Sequence, residues 1–147
     1  MDTTREVERL MHGYCDAVDR VDMTLFASLF TEDAVLDYGF DRIFTGRDAI
    51  VALLTARLAN YQATSHHLSN IAVEEVSPTE LHSTSTIYAW HRLMDDTQAE
   101  VWGRYEDVIV HGSDGWKIAH HVVRAAGSRG FSTPEGLPSP FEPFNRK

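Results

Sequence analysis

The sequence predicts an α+β fold in which helices come first and a long antiparallel sheet follows. Three observations predict it. Apolar residues recur at helical spacing in the front of the chain. Further on, three long β-like runs follow at 79–94, 99–111 and 116–125, separated by the turn-forming "MDDTQ" and "GSDG". No repeat and no second domain are seen, and 147 residues suit one core. A meander of this length curved around helices makes a cone with an open mouth, and a ligand would lie between the helices and the inner face of the sheet.

Each element has its own signal. Thr3-x-x-Glu6 has the form of a capping box, and after it Val7, Leu10, Met11, Tyr14, Cys15 and Val18 recur at helical spacing as far as Arg20. Asp22 is placed to cap a second, short helix carrying Leu25, Phe26, Leu29 and Phe30. "DAVLDYGFDRIFTG" reads as a hairpin with Gly39 and Asp41 in its turn. Residues 45–48 can cap a third helix, "DAIVALLTARLANY". The tail "GSRGFSTPEGLPSPFEPFNRK" is too rich in Pro, Gly and Ser for its own core. It reads as an extended arm, residues 128–147, following a domain of residues 1–127. Its phenylalanines are expected to lie along the mouth of the cone or on a neighbouring subunit.

Alternation decides which polar groups point into the cone. In "TSHHLSNIAVEEV", His67 shares a face with Ser69, Ile71 and Val73, whereas His66 goes with Leu68, Asn70, Ala72 and Glu74. The first set is the more apolar, so His67 is expected inside and His66 at the rim. Taken alone, an inward histidine is as often a core residue bonded to a carbonyl. In "LHSTSTIYAWHRL", Leu81, Ile87, Ala89 and His91 form the face expected to be concave. Ala34, Leu36 and Tyr38 share a face in the hairpin, which would put the Tyr38 hydroxyl inside. On the first helix, Asp16 lies away from the apolar stripe and is expected in solvent. Asp19 sits at the stripe's edge in the last turn, where the helix dipole disfavours a carboxylate. An imidazole partner would compensate, and an Asp that orients a His makes a general base.

Composition excludes several classes. Hydrophobic residues make up 43% and charged residues 24%, the balance of an ordinary globular protein. The net charge of −9 repels phosphate backbones, so no nucleic-acid partner is expected. No run is long enough to span a membrane and "MDTTREVERL" has no signal-peptide core, so the expected location is the cytoplasm. The single Cys15 leaves no internal disulfide and no cysteine zinc cluster. A metal site built from Asp19, His67, His91 and His121 is disfavoured, because no HxH or HExxH spacing supports it.

"YCDAVDRVDMTLFASLFTEDAVLDYG", "FTGRDAI" and "VWGRYEDVIVHGSDGWKIAHHVV" resemble the SnoaL-like branch of the NTF2-like superfamily, whose fold is an α+β cone. The resemblance covers nearly the whole chain up to the tail. It implies site residues by comparison with three enzymes of the superfamily: scytalone dehydratase, bile-acid 7α-dehydratase and hexachlorocyclohexane dehydrochlorinase. Their helix-end aspartate falls on Asp19 and their histidine at the start of the following strand falls on His67. Tyr38 matches a tyrosine that polarises a carbonyl, and His91 lies near a second histidine. The dehydrochlorinase's pocket arginine falls near His121, a departure that Arg124 could make good. Tyr14 falls on the oxyanion-hole tyrosine of ketosteroid isomerase. The base position of that enzyme falls near Tyr38, which is no carboxylate, and this argues against its mechanism.

These readings converge on a lyase or isomerase that needs no cofactor. The base would be His67 held by Asp19, with Tyr38 and His91 in the reaction and Tyr14, His121 and Arg124 binding a hydrophobic cyclic molecule. A non-catalytic binding or assembly module is the alternative, because this fold carries many functions. The outward Trp90 and Trp102 lead to the expectation of a homodimer or homotrimer.

Overall fold

The computed structural model describes residues 2–133 and 140–144. Helix α1 (Thr3–Arg20) is capped by Asp2, whose side chain accepts the Arg5 backbone N–H. The expected capping box does not form, because Thr3 is already helical and its hydroxyl donates to Glu75. The apolar stripe of α1 is buried from Val7 to Val18. Val21 ends the helix in the left-handed region (φ 55°), and the Asp22 N–H reaches back to the Ala17 carbonyl at 2.8 Å. Asp22 then caps α2 (Met23–Ser28) by accepting the Leu25 N–H.

Strands β1 (Phe30–Asp37) and β2 (Ile43–Thr45) form the expected hairpin, with Gly39, Phe40 and Asp41 all at positive φ in its turn. Helix α3 (Arg47–Leu58) follows, then β3 (Tyr61–Ser77), β4 (Glu80–Leu93), β5 (Gln98–Gly112) and β6 (Gly115–Arg129). The sheet runs β2-β1-β6-β5-β4-β3. Only the β1–β6 pair is parallel. This is the open, curved α+β cone that the element order predicts.

The three helices lie in the concavity, α1 against β3 and α3 against β1. Phe26, Phe30, Leu10, Met11, Leu36, Ile50, Ile109 and Ile118 are fully buried between them and the sheet. Each such side chain contributes roughly 1.5–3 kcal/mol by leaving water.

Two features of the sheet bear on the site. Ser69 pairs with Thr86 and Ala72 with Thr84, so β3 spends one residue more than β4 over this step. The extra residue is a bulge at Asn70, in the left-handed region at φ 55°. At Gly103 the neighbouring strand is so close that a Cβ would lie 2.3 Å from the Arg124 carbonyl oxygen.

Part of the tail returns to the sheet. Glu142 donates its N–H to the Tyr38 carbonyl and accepts the Ala125 N–H, and Phe144 donates to the Ala125 carbonyl. The rest of the expected arm, residues 134–139 and 145–147, lies outside the described residues. Among the described residues no helix is long and apolar enough to cross a membrane.

Candidate active site

A cavity opens between α1, α3 and the inner face of the sheet. Its walls are apolar at Val18, Leu54, Leu58, Ile87, Ala89, Val101 and Val123, and polar at Tyr14, Tyr38, Arg57, Tyr61, His66, His91 and Arg124. Phe131 and Phe141, from either side of the tail, stand in the lining as well. The cavity is small, about 50 Å³. That is room for a few waters, so a ring-sized ligand requires the mouth to widen.

The partner of Asp19 is His66. The His66 Nδ1 lies 2.6 Å from Asp19 Oδ1, its backbone N–H donates to Oδ2 at 2.9 Å, and the Thr64 hydroxyl donates to Oδ1 at 2.9 Å. Half-burial acts to raise the Asp19 pKa, but the hydrogen bonds from His66 and Thr64 outweigh it and the net shift is downward. An ionised carboxylate only accepts, so Nδ1 carries a proton, and in the neutral ring the lone pair falls on Nε2. The helix-end penalty on Asp19 is thus met by three donors from one strand.

His67, expected in this role, lies on the opposite face. Its ring is exposed, takes a 2.9 Å hydrogen bond with Ser65 and packs beside Tyr88. The cause is the bulge at Asn70. Ile71 and Val73 do pack against the core, and so does Leu68. The inserted residue reverses the parity between them, so the histidine in phase with Leu68 is His66. Alternation counted straight through the bulge gives the wrong ring.

The other expected residues divide. His91 lines the cavity, 8% exposed, with its ring 5.8 Å from His66 and 4.8 Å from Tyr61. Burial, with His66 beside it, pushes its pKa down to about 4. Tyr14 and Tyr38 both line the cavity. Burial raises both pKa values, Tyr14 well above the ordinary range, so both hydroxyls stay protonated donors. Arg124 is also in the wall but is held by Asp37, with two contacts of 3.2 Å to its carboxylate and Glu142 3.8 Å away.

His121 is not in the wall. It is fully buried behind Tyr14 and Tyr105, with ring centroids 4.7 and 4.5 Å away, and its Nδ1 lies 2.5 Å from Asp107 Oδ1. Breaking such a buried pair typically costs about 3–5 kcal/mol, so this second Asp–His couple holds the floor of the cavity.

Sequence reasoning passed over Arg57, Tyr61 and Asp107. Asp107 was legible, since it continues the buried row Val101, Gly103, Tyr105 and Ile109. Arg57 follows Ile50 and Leu54 on the buried side of α3, where a cation is unexpected. Cys15 stays a thiol, because burial and the nearby Asp19 push its pKa up to about 12. Among the described residues no three of His, Cys, Asp and Glu form a metal-ligating cluster.

The comparisons place this geometry among known proteins. A family model for the SnoaL-like domain matches residues 1–122. No curated protein matches the chain. A structure assigned as a scytalone dehydratase, from Novosphingobium aromaticivorans, is 29% identical with a TM-score of 0.88, covering 100% of this chain and 99% of its own. The type 3 hexachlorocyclohexane dehydrochlorinase LinA of Novosphingobium barchaimii is 16% identical with a TM-score of 0.77, over 95% and 100%. An NTF2-like protein of Streptomyces avermitilis, assigned as a dehydratase, is 18% identical with a TM-score of 0.72, over 83% and 95%. The last two likenesses are of fold. With the family model spanning most of the chain and the same fold in each neighbour, the protein belongs to the SnoaL-like domain family.

Proposed function

We propose that this protein is a cofactor-independent lyase of the dehydratase type. Its substrate is a hydrophobic, ring-containing small molecule, and His66 oriented by Asp19 is its general base. The observation that carries this reading is the 2.6 Å Asp19–His66 contact at the wall of an otherwise largely apolar cavity. The scytalone dehydratase assignment of the 29%-identical neighbour supports it.

In this reading His66 Nε2 takes a proton from the carbon beside a carbonyl. Tyr38 and Tyr14 donate hydrogen bonds to the carbonyl oxygen as charge builds on it. His91 is neutral above pH about 4, so it acts as a hydrogen-bond donor to the departing hydroxyl rather than as a strong acid. The carbon–oxygen bond then breaks, and the proton held by His66 leaves with the hydroxyl as water. Without a leaving group the same proton returns to another carbon, which is isomerisation.

The test is a screen of cyclic hydroxyketones followed by single variants. General-base catalysis is worth about 10²–10⁴-fold, so His66→Ala and Asp19→Asn should each reduce turnover on that scale while the fold survives. The effects should be non-additive, because the pair acts as a unit. His67→Ala should leave turnover unchanged. Near-normal rates for His66→Ala would remove the base assignment. Unfolding of both dyad variants would favour a binding module in which the pair only ties α1 to β3.

A further inference from the structure

Arg57 is the feature of the cavity that the proposed chemistry leaves unused. It stands on the buried side of α3, and its guanidinium lies 4.9 Å from the Tyr38 ring centre and 5.3 Å from that of Phe141. Its Nη1 is buried and has no hydrogen-bond partner among the described residues. The acids nearby are engaged: Asp19 with His66, Asp107 with His121, and Asp37 with Arg124. None among the described residues forms an ion pair with Arg57. Burial pulls its pKa down, but the Tyr38 and Tyr61 hydroxyls pull harder and the net shift is upward.

A second cation sharpens the point. Arg42 lies 5.4 Å from the same Tyr38 ring, donates to the Pro140 carbonyl and has its pKa lowered by burial and by Arg57. The two cations share one aromatic ring and repel each other. Burying an unpaired charge is costly, and an orphaned donor adds to that cost. A chain of net charge −9 has carboxylates in excess, and none of those described is placed against this group. A ligand anion would satisfy the charge and the free donor together. A neutral carbonyl would satisfy the donor alone.

We propose that Arg57 is the anion-recognising group of this cavity and that its ligand is a ring compound bearing a carboxylate. The carboxylate docks between the Arg57 guanidinium and the Tyr61 hydroxyl, which leaves the Tyr38 O–H for the reacting carbonyl. The ring then extends toward His91, 4.8 Å from Tyr61, and so toward His66. This rests on the cavity being the substrate site, and it narrows the substrate from a hydrophobic cyclic molecule to an acidic one.

The experiment is calorimetric titration with matched pairs, benzoate against benzamide and 2-naphthoate against 2-naphthamide, on wild type, Arg57→Met, Arg57→Lys and His66→Gln. A charged hydrogen bond is worth about 1.5–3 kcal/mol, so the carboxylate of a pair should bind about 10- to 100-fold more tightly than its amide. Arg57→Met keeps the apolar stem and should abolish that preference without weakening the amide. Arg57→Lys keeps the charge but loses the planar fork, and should retain part of it. The preference should survive His66→Gln, so failure of the base assignment leaves this result standing. A series in which no carboxylate outbinds its amide overturns the proposal, and wild type alone suffices for that. An undiminished preference in folded Arg57→Met overturns it equally.

Discussion

His91 ties the cavity to the acid stability of the protein. Its pKa is 6.5 in an unfolded chain and about 4 in the fold. Between those values the unfolded chain binds a proton that the folded one refuses, so stability falls as pH drops from 6.5 toward 4. The difference corresponds to about 3 kcal/mol. Asp19 acts in a lower window: its pKa is depressed, so its contribution is present above the ordinary carboxylate value and is lost as pH falls through the lowered one. His91 therefore acts in the range from 6.5 to 4, and Asp19 below it. Denaturant unfolding at several pH values should show wild type losing stability across this range and His91→Gln losing markedly less. Superimposable profiles would mean that the ring is hydrated. At this scale much of the site was legible. Asp19, Tyr14, Tyr38 and His91 could each be placed from one helix stripe or one run of alternation.

Two strained residues set the elements that carry the dyad. Val21 turns the chain back at the end of α1, just beyond Asp19, and Asn70 bulges β3 just beyond His66. The left-handed region costs a β-branched residue roughly 1–2 kcal/mol. Val21 is 57% exposed, so Val21→Gly should relieve strain without opening the core and stabilise the protein by about 1 kcal/mol. Asn tolerates this conformation, so Asn70→Val should destabilise by a similar amount while Asn70→Gly is tolerated. Deleting Asn70 should be far worse, because either His66 and Leu68 or Ile71 and Val73 must then leave the core face. The midpoint of chemical denaturation measures all four variants. A well-folded deletion would contradict the role given to the bulge. Nothing in "SNIAV" marks a bulge without its partner strand, which is why the element was found and its parity was not.

The convex side of the sheet carries Tyr88, Trp90 and Trp102, braced at their edges by polar partners. The Tyr88 hydroxyl donates to Glu100, Arg129 pairs with the same carboxylate, and Trp90 donates to Gln98. Trp102 is 39% exposed. We propose that copies of the chain pair through this face as a dimer or trimer, which would cover the aromatics. Sedimentation velocity should then show an oligomer that Trp102→Glu dissociates. Added salt should favour assembly, because each copy carries −9 and screening weakens the repulsion. A wild type that is monomeric at high protein concentration would dismiss this.

The α+β cone, the order of its elements, the hairpin turn and the inward faces of α1, β1 and β4 are all legible along the chain. These follow from periodicity, and periodicity is a local property of the chain. The rest of the site depends on where strands lie against each other. The Asn70 bulge exists only relative to β4, and it exchanged His67 for His66 beside Asp19. His121 faces inward, as alternation allows, yet the tyrosines packed over it seal it away from the cavity. Arg57 would be solvated on an isolated helix. It meets Tyr38 and Phe141 only because the hairpin and the returning tail close over α3. One residue of register and the packing of neighbours decided which polar groups share the cavity, and neither is written in the spacing of any single element.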